Sequence, residues 1–317
     1  MASLEQGNQT SIMKFILLGF GNLHELPIFF FLLSVTIYIA TMAGNFLIIV
    51  LVVTDQHLHT PMYFFLGNLS FLETCYTSTL LPRMLATFLT GDRTISVTGC
   101  LTQFYFFGFL VTSECLLLSS MSFDRYLAIC KPLHYATLMN HKLCIILAAG
   151  SWITALLVSA IITLFMAQSI FCGPNEINHF FCDFTPVIKL SCSDTYLVEF
   201  VTTLLASLCT FPSSLLTLMS YAYIITTILG IPSTTGKKKA FSTCSSHLIV
   251  VTIYYGTLMV VYILPRNDKL NNLNKVLSLF YTVLTPLANP LIYSLRNKEV
   301  KGALKKTVIK PLAFTGT

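Results

Sequence analysis

The sequence predicts an all-α membrane protein: a seven-transmembrane-helix bundle with its N-terminus outside and a short amphipathic cytoplasmic helix after helix seven. Three observations carry that expectation. Of the 317 residues, 55% are hydrophobic and only 10% are charged, which is far too apolar for a soluble domain of this size. Seven apolar runs, separated by charged or turn-rich breaks, each approach or exceed the roughly 20 residues a helix needs to cross the hydrocarbon layer. The basic residues are also distributed unequally between the two sides of the bundle.

The runs lie at about 26–53, 60–87, 98–130, 142–167, 196–229, 240–264 and 273–295. Residues 1–25 read as an extracellular tail: Glu5, Lys14 and Glu25 break any compact basic and apolar layout, so no cleavable signal peptide is expected and the first helix serves as its own insertion signal. The sequon "NQT" makes Asn8 the expected glycosylation site, whereas "NLS" at Asn68 falls inside the second helix and is unusable. The sixth and seventh runs are weaker, interrupted by "STCSSH" and "TPLANP", interruptions that are tolerated where they face other helices. The membrane-spanning body is therefore 26–295, followed by 296–317, in which Val300, Ala303, Leu304 and Val308 recur at helical spacing between lysines. That pattern fits an amphipathic helix on the inner leaflet, with a disordered tail as the alternative. No internal repeat, linker or second domain is visible.

With the N-terminus outside, twelve of the nineteen Lys and Arg residues fall on the cytoplasmic side, among them Arg125, Lys131, Lys142, Lys237, Lys238, Lys239 and the basic run from Arg296 onward. The net charge of +6 then expresses topology and affinity for anionic membrane lipids, not nucleic-acid binding.

Four of the ten cysteines lie on the outer side: Cys100 opens the third helix, and Cys172, Cys182 and Cys192 share the loop between helices four and five. In an oxidising compartment they imply two disulfides with three arithmetically allowed pairings. Reduced thiols are one alternative. Metal binding by His179 and Cys182 of "NHFFC" is another, although the spacing matches no usual zinc pattern.

Near the cytoplasmic end of helix three, "MSFDRY" places Asp124 and Arg125 side by side. An unpaired charge there is costly, so the pair implies a task, the plain alternative being an arginine that reaches the headgroups. Glu114 lies eleven residues before Arg125, about 16 Å along the helix and close to the midplane. Glu73, twelve residues after Pro61, reaches a similar depth on helix two. Two facing acids either share a proton or hold a Na⁺ between them, unless both are protonated packing residues.

The sequence resembles the odorant receptors of the rhodopsin-like (class A) G-protein-coupled receptors along nearly its whole length. The resemblance rests on "GN" (Gly44, Asn45), "HTPMYFFLGNLSFLE" (59–73), "MSFDRYLAICKPLHY" (121–135), "SY" (Ser220, Tyr221), "KAFSTCSSHL" (239–248) and "PLANPLIYSLRNKEV" (286–300). It implies the pairings Cys100–Cys182 and Cys172–Cys192. The chain departs from many relatives at Ser122-Phe123 and Leu127. From rhodopsin-like receptors generally it differs in having Tyr255 where Trp is usual and no proline in the middle of helix six, which argues against transferring their proline-kink and tryptophan-toggle mechanism.

By the same resemblance Arg125 is held by Asp124 in the idle state and released toward Tyr221 and a G protein when helix six moves outward. Tyr126, Lys239, His247, Asn289, Pro290 and Tyr293 complete the implied switch, with plain topology as the alternative for the lysines. Rhodopsin-like receptors often hold Na⁺ near the position of Glu73 and Glu114, which makes Na⁺ the one bound cofactor the resemblance implies.

The expected ligand pocket lies above, toward the outside. Phe104, Phe107, Gly108, Val111 and Thr112 of helix three face it, with Leu205, Ala206 and Cys209 of helix five, Tyr255, Leu258, Met259 and Tyr262 of helix six, and Tyr281 and Thr282 of helix seven. That wall is apolar with a few hydroxyls and no acid, which fits a small, hydrophobic, mostly uncharged odorant and not a biogenic amine. The implied partner is a stimulatory olfactory-type G protein that raises cyclic AMP, at the plasma membrane of olfactory neuron cilia. Rival expectations are a rhodopsin-like receptor for another small lipophilic ligand and an ion-conducting or transporting protein. The chain lacks the repeats common in transporters, and, with neither "HExxH" nor GxSxG present, no enzyme is expected.

Overall fold

The computed structural model describes residues 12–20, 27–172, 174–263, 271–296 and 299–304. Asn8 lies outside these residues, and the side chains of Lys239, Met259 and Tyr262 lie outside the description as well. The protein is a seven-helix bundle. Its spans are α1 (Pro27–Thr54), α2 (Pro61–Thr90), α3 (Val97–Cys130), α5 (His141–Ala167), α7 (Tyr196–Gly230), α8 (Thr234–Ile263) and a seventh composed of α9 (Asn271–Leu279), a π-helical turn (Phe280–Leu284) and α10 (Thr285–Arg296). The short helices α4 (Pro132–Leu138) and α6 (Phe184–Ile188) fall in the loops after α3 and α5, and residues 299–304 are again helical.

Local chemistry sets the ends of these helices. Pro61 opens α2 and Pro132 opens α4 at a position where a missing N–H costs nothing. Ser96 Oγ accepts the Gly99 N–H at the start of α3, and Asn140 Oδ1 accepts the Leu143 N–H at the start of α5. Helix α2 ends at Gly91, whose φ of 72° is left-handed and favours glycine.

Among the described residues, five spans are long and apolar enough to cross a membrane by length and composition: Ile28–Thr54, Val97–Cys130, His141–Ala167, Tyr196–Gly230 and Lys275–Tyr293; α8 supplies the shorter apolar stretch Cys244–Leu258. The seventh span is thus stronger than its prolines imply, and α2 falls outside the set. The reason is that α2 is an interior helix, burying Ser70, Glu73 and Thr77 among its apolar residues. Several of its hydroxyls donate to carbonyls of the same helix, as when Thr77 donates to the Glu73 carbonyl at 2.7 Å and Ser78 to the Thr74 carbonyl at 2.8 Å.

Helix α3 runs through the middle of the bundle, packing against α2, α5 and α7. The seventh span closes onto α1 at a glycine. A Cβ on Gly44 would lie 3.0 Å from the Pro290 Cβ, so glycine lets α1 and α10 approach, and the neighbouring Asn45 Nδ2 donates to the Pro286 carbonyl at 3.3 Å. The sole Trp, Trp152, donates to Asn68 Oδ1 at 3.1 Å, which places that sequon between helices α2 and α5.

One element is absent from the sequence-based expectation. Part of the N-terminal tail forms β1 (Lys14–Leu17), which lies between β2 (Thr94–Ser96) and β3 (Glu176–Ile177) in a sheet of order β2-β1-β3. β1 pairs antiparallel with β2 and parallel with β3. Phe15 and Leu17 are buried with Phe104, Ile162, Met166 and Val187, so the strand seals an outer apolar cluster distinct from the main core.

Candidate functional site

Three polar and aromatic constellations are stacked along the bundle. At the cytoplasmic end, Asp124 is fully buried and takes two hydrogen bonds from Arg125, one from Nε at 2.9 Å and one from Nη2. Tyr135, at the middle of α4, donates to the other carboxylate oxygen at 2.8 Å. Sequence reasoning missed Tyr135 as a member of this cluster, although it ends the quoted "MSFDRYLAICKPLHY" stretch. A carboxylate that receives both groups ties the end of α3 to the following loop.

Opposite this cluster, Tyr221 Oη and His247 Nδ1 share a buried hydrogen bond of 2.6 Å between α7 and α8. Tyr293 on α10 is buried and its hydroxyl has no hydrogen-bond partner among the described residues. Tyr126 instead packs toward Tyr223, with ring centroids 5.8 Å apart. Pro290 faces Gly44 as described above.

At mid-membrane, Glu73 and Glu114 are both about 1% exposed. Asn289 Nδ2 donates to Glu73 Oε1. Among the described residues, Glu73 Oε2, Glu114 Oε1 and Asn45 Oδ1 are buried without a hydrogen-bond partner. A set of orphaned oxygens suits a hard cation or a proton, because either gives them something to bind.

In the outer half, Phe107 is the hub of the expected pocket wall. Its ring lies 4.7 Å from Phe181, 5.7 Å from Tyr76 and 6.3 Å from Tyr281. Phe181 comes from the outer loop, and its place follows from its neighbour: Cys182 is bonded to Cys100 at the top of α3. The second disulfide joins Cys172 to Cys192. A zinc role for the "NHFFC" segment is thereby excluded at Cys182, whose sulfur is used in the disulfide.

The expected pocket residues divide. Leu258, Tyr255 and Tyr281 join Phe107 in the main core, with Val111 packed against it. Phe104 and Leu205 belong to the outer cluster, where Phe104 lies 6.3 Å from Phe184. Cys209 is buried, Thr112 is half-buried and Ala206 is exposed. Gly108 borders α5: a Cβ there would lie 3.4 Å from Ser159 Oγ.

Several of the expected polar groups are already engaged. Tyr255 Oη donates to the Cys115 carbonyl at 3.0 Å, and Tyr254 Oη donates to the Val111 carbonyl at 2.8 Å. Two adjacent tyrosines of α8 therefore hold α3 at carbonyls four residues apart, one helical turn. Thr282 Oγ1 donates to the Ser278 carbonyl at 2.6 Å, and Tyr281 Oη to Ser278 Oγ at 3.3 Å. Outside the membrane, Asp92 is exposed and takes the Thr94 N–H at 2.8 Å, which holds its carboxyl below the usual range.

Comparison with known proteins matches this geometry to one group. A family model described as olfactory receptor covers residues 34–311. Human olfactory receptor 10A7 is 49% identical over 304 residues, covering 95% of this chain and 95% of its own length. Human olfactory receptor 6B1 is 49% identical over 303 residues, with 96% and 97% covered. Mouse olfactory receptor 5AR1 is 45% identical over 307 residues, with 97% and 99% covered.

Proposed function

The chain belongs to the olfactory receptor family, a family of multi-pass membrane receptors and not of enzymes, and from that premise we propose that it binds a small, hydrophobic, mostly uncharged odorant and activates a stimulatory olfactory-type G protein to raise cyclic AMP. The observation that carries this reading is the stacking of an apolar aromatic wall above a buried, hydrogen-bonded cytoplasmic ion pair, with α3 running through both. A ligand biases such a receptor only if it binds one state better than the other. The two tyrosine contacts from α8 to α3 give it a lever. An occupant that competes with Tyr254 or Tyr255 for the α3 carbonyls weakens the hold on α8, and outward movement of α8 separates His247 from Tyr221.

At the cytoplasmic end that movement clears a path for Arg125 to leave Asp124 and meet the G protein, with Tyr293, whose hydroxyl has no hydrogen-bond partner among the described residues, turning in beside it. Glu73 and Glu114, with Asn45 and Asn289, would hold a Na⁺ ion or a shared proton that stabilises the idle packing. Helix 299–304 anchors the inner side. Val300 and Ala303 are buried, and Tyr63 Oη of α2 donates to Glu299 Oε2 at 2.7 Å. The proposed location is the plasma membrane of olfactory neuron cilia, with glycosylation at Asn8.

The ligand site is tested by filling it. Val111→Trp places an indole against the Phe107 face, whereas Ile153→Trp adds the same bulk on the exposed side of α5. For a volatile that activates the wild type, Val111→Trp raises the half-maximal concentration at least tenfold, about 1.4 kcal/mol, and Ile153→Trp leaves it unchanged at equal surface expression. Equal effects from both variants, or none from Val111→Trp, would place the ligand elsewhere.

A further inference from the structure

We infer that the outer face carries a proton-sensitive lid: the N-terminal strand and residues 174–195 of the outer loop close over the bundle at neutral pH and loosen when His179 takes up a proton. The lid is built from two separate stretches of chain. The Leu18 N–H donates to the Ile177 carbonyl at 2.9 Å and the Gly19 N–H to the His179 carbonyl at 3.1 Å. Lys275 of α9 then ties both segments to the bundle, donating to the Gly19 carbonyl at 2.7 Å and to Asn178 Oδ1 at 2.6 Å. Phe20 stacks on Phe180 with centroids 5.3 Å apart.

His179 sits inside this assembly. Its ring stacks on Phe180 at 4.7 Å and meets the edge of Phe181 at 4.6 Å, and it is 6% exposed with Nδ1 buried and without a hydrogen-bond partner among the described residues. Phe181 in turn reaches Phe107 on α3 at 4.7 Å, so displacement of His179 reaches the proposed pocket wall directly.

Protonation is hostile to this arrangement for two reasons. It buries a charge between aromatic rings with an N–H that has no acceptor, and it adds a second cation beside Lys275. Lys275 is the charged group that faces the ring. The N-terminal strap offers Gly19 and Phe20, and α3 offers Phe107, all uncharged. On the loop itself Glu176 is exposed and Asp183 accepts the Phe184 N–H at 2.8 Å. Among the described residues no carboxylate forms an ion pair with His179 or Lys275.

Burial and Lys275 push the imidazole pKa in the closed lid down to about 3, against about 6.5 for a free histidine. The closed form therefore has its full advantage above about 6.5 and loses it as pH falls toward 3. Between pH 7.5 and 5.5 the closed-to-open ratio falls about tenfold. The lid stands whether or not the proposed odorant class is correct.

Hydrogen exchange on the full-length receptor in lipid nanodiscs tests this without a ligand, with rates corrected for intrinsic pH dependence. The Leu18 and Gly19 amides exchange about tenfold faster at pH 5.5 than at 7.5, while amides in the middle of α3 do not change. His179→Phe and, as a smaller polar replacement, His179→Gln abolish the difference. Equal protection of the wild type at both pH values, a difference that survives either variant, or faster exchange throughout α3 would overturn the lid.

Discussion

Replacing Arg125 by alanine silences the cyclic AMP response to any volatile that activates the wild type, lowering the maximal signal at least tenfold at matched surface expression. The guanidinium is the donor to Asp124 through Nε and Nη2 and the side chain is 11% exposed, so it is poised at the boundary between the bundle and the cytoplasm. Alanine removes the group expected to meet the G protein and leaves Asp124 buried with Tyr135 as its remaining hydrogen-bond donor. Breaking a buried pair from one side typically costs about 3–5 kcal/mol, so surface amounts must be equalised before signals are compared. Arg125→Lys separates the two roles. Lysine supplies a charge for Asp124 but lacks the planar fork, and it restores surface delivery more fully than signalling. An undiminished response from Arg125→Ala at equal surface amounts would remove Arg125 from the switch.

Cys100→Ser removes the receptor from the cell surface, leaving less than a tenth of the wild-type amount by antibody labelling of intact cells. The bond from Cys100 to Cys182 joins residues 82 apart and pins Phe181 against Phe107. Loss of a native disulfide costs about 2–5 kcal/mol in small secreted domains, a large share of a typical stability of roughly 5–15 kcal/mol. Cys172→Ser has a milder effect. Its bond to Cys192 closes a separation of 20 residues, and the loop-closure term favours the longer bridge by about 1 kcal/mol. Equal surface loss from both variants would mean that the bridge to α3 has no special role.

Most of the helices were legible as long apolar runs bounded by charge, proline or a cap, although α2 buries polar residues and α8 carries only a shorter apolar stretch. The expected third run, 98–130, and the observed Val97–Cys130 differ by one residue, and the fifth, 196–229, differs from Tyr196–Gly230 in the same way. The sheet was not legible, since strands of four, three and two residues carry no periodicity and are fixed by pairing across the chain. The Asp124–Arg125 pair announced itself through the cost of charge in an apolar run. Tyr135 did not, because a tyrosine on a loop helix is unremarkable until the carboxylate it bonds is known.

The expected pocket wall shows a related limit. Helical spacing says which side chains share a face but not whether their hydroxyls are already engaged, and Tyr255 and Thr282 both donate to backbone carbonyls. The π-helical turn also shifts the face of the seventh span, burying Tyr281, Thr282 and Val283 in succession, which an ordinary 3.6-residue period does not anticipate. Gly108 illustrates the opposite limit: on a wheel it borders the pocket face, while its missing Cβ is what lets Ser159 of α5 come close.

The central claim is that ligand binding in the bundle acts through a G protein. The most direct measurement is cyclic AMP against a broad panel of small volatiles, in cells with and without the stimulatory olfactory Gα and with membrane conductance recorded in parallel. The account predicts a dose-dependent cyclic AMP rise that requires Gα, with no conductance when Gα is absent. A volatile-evoked conductance or cyclic AMP rise that persists without Gα would contradict it.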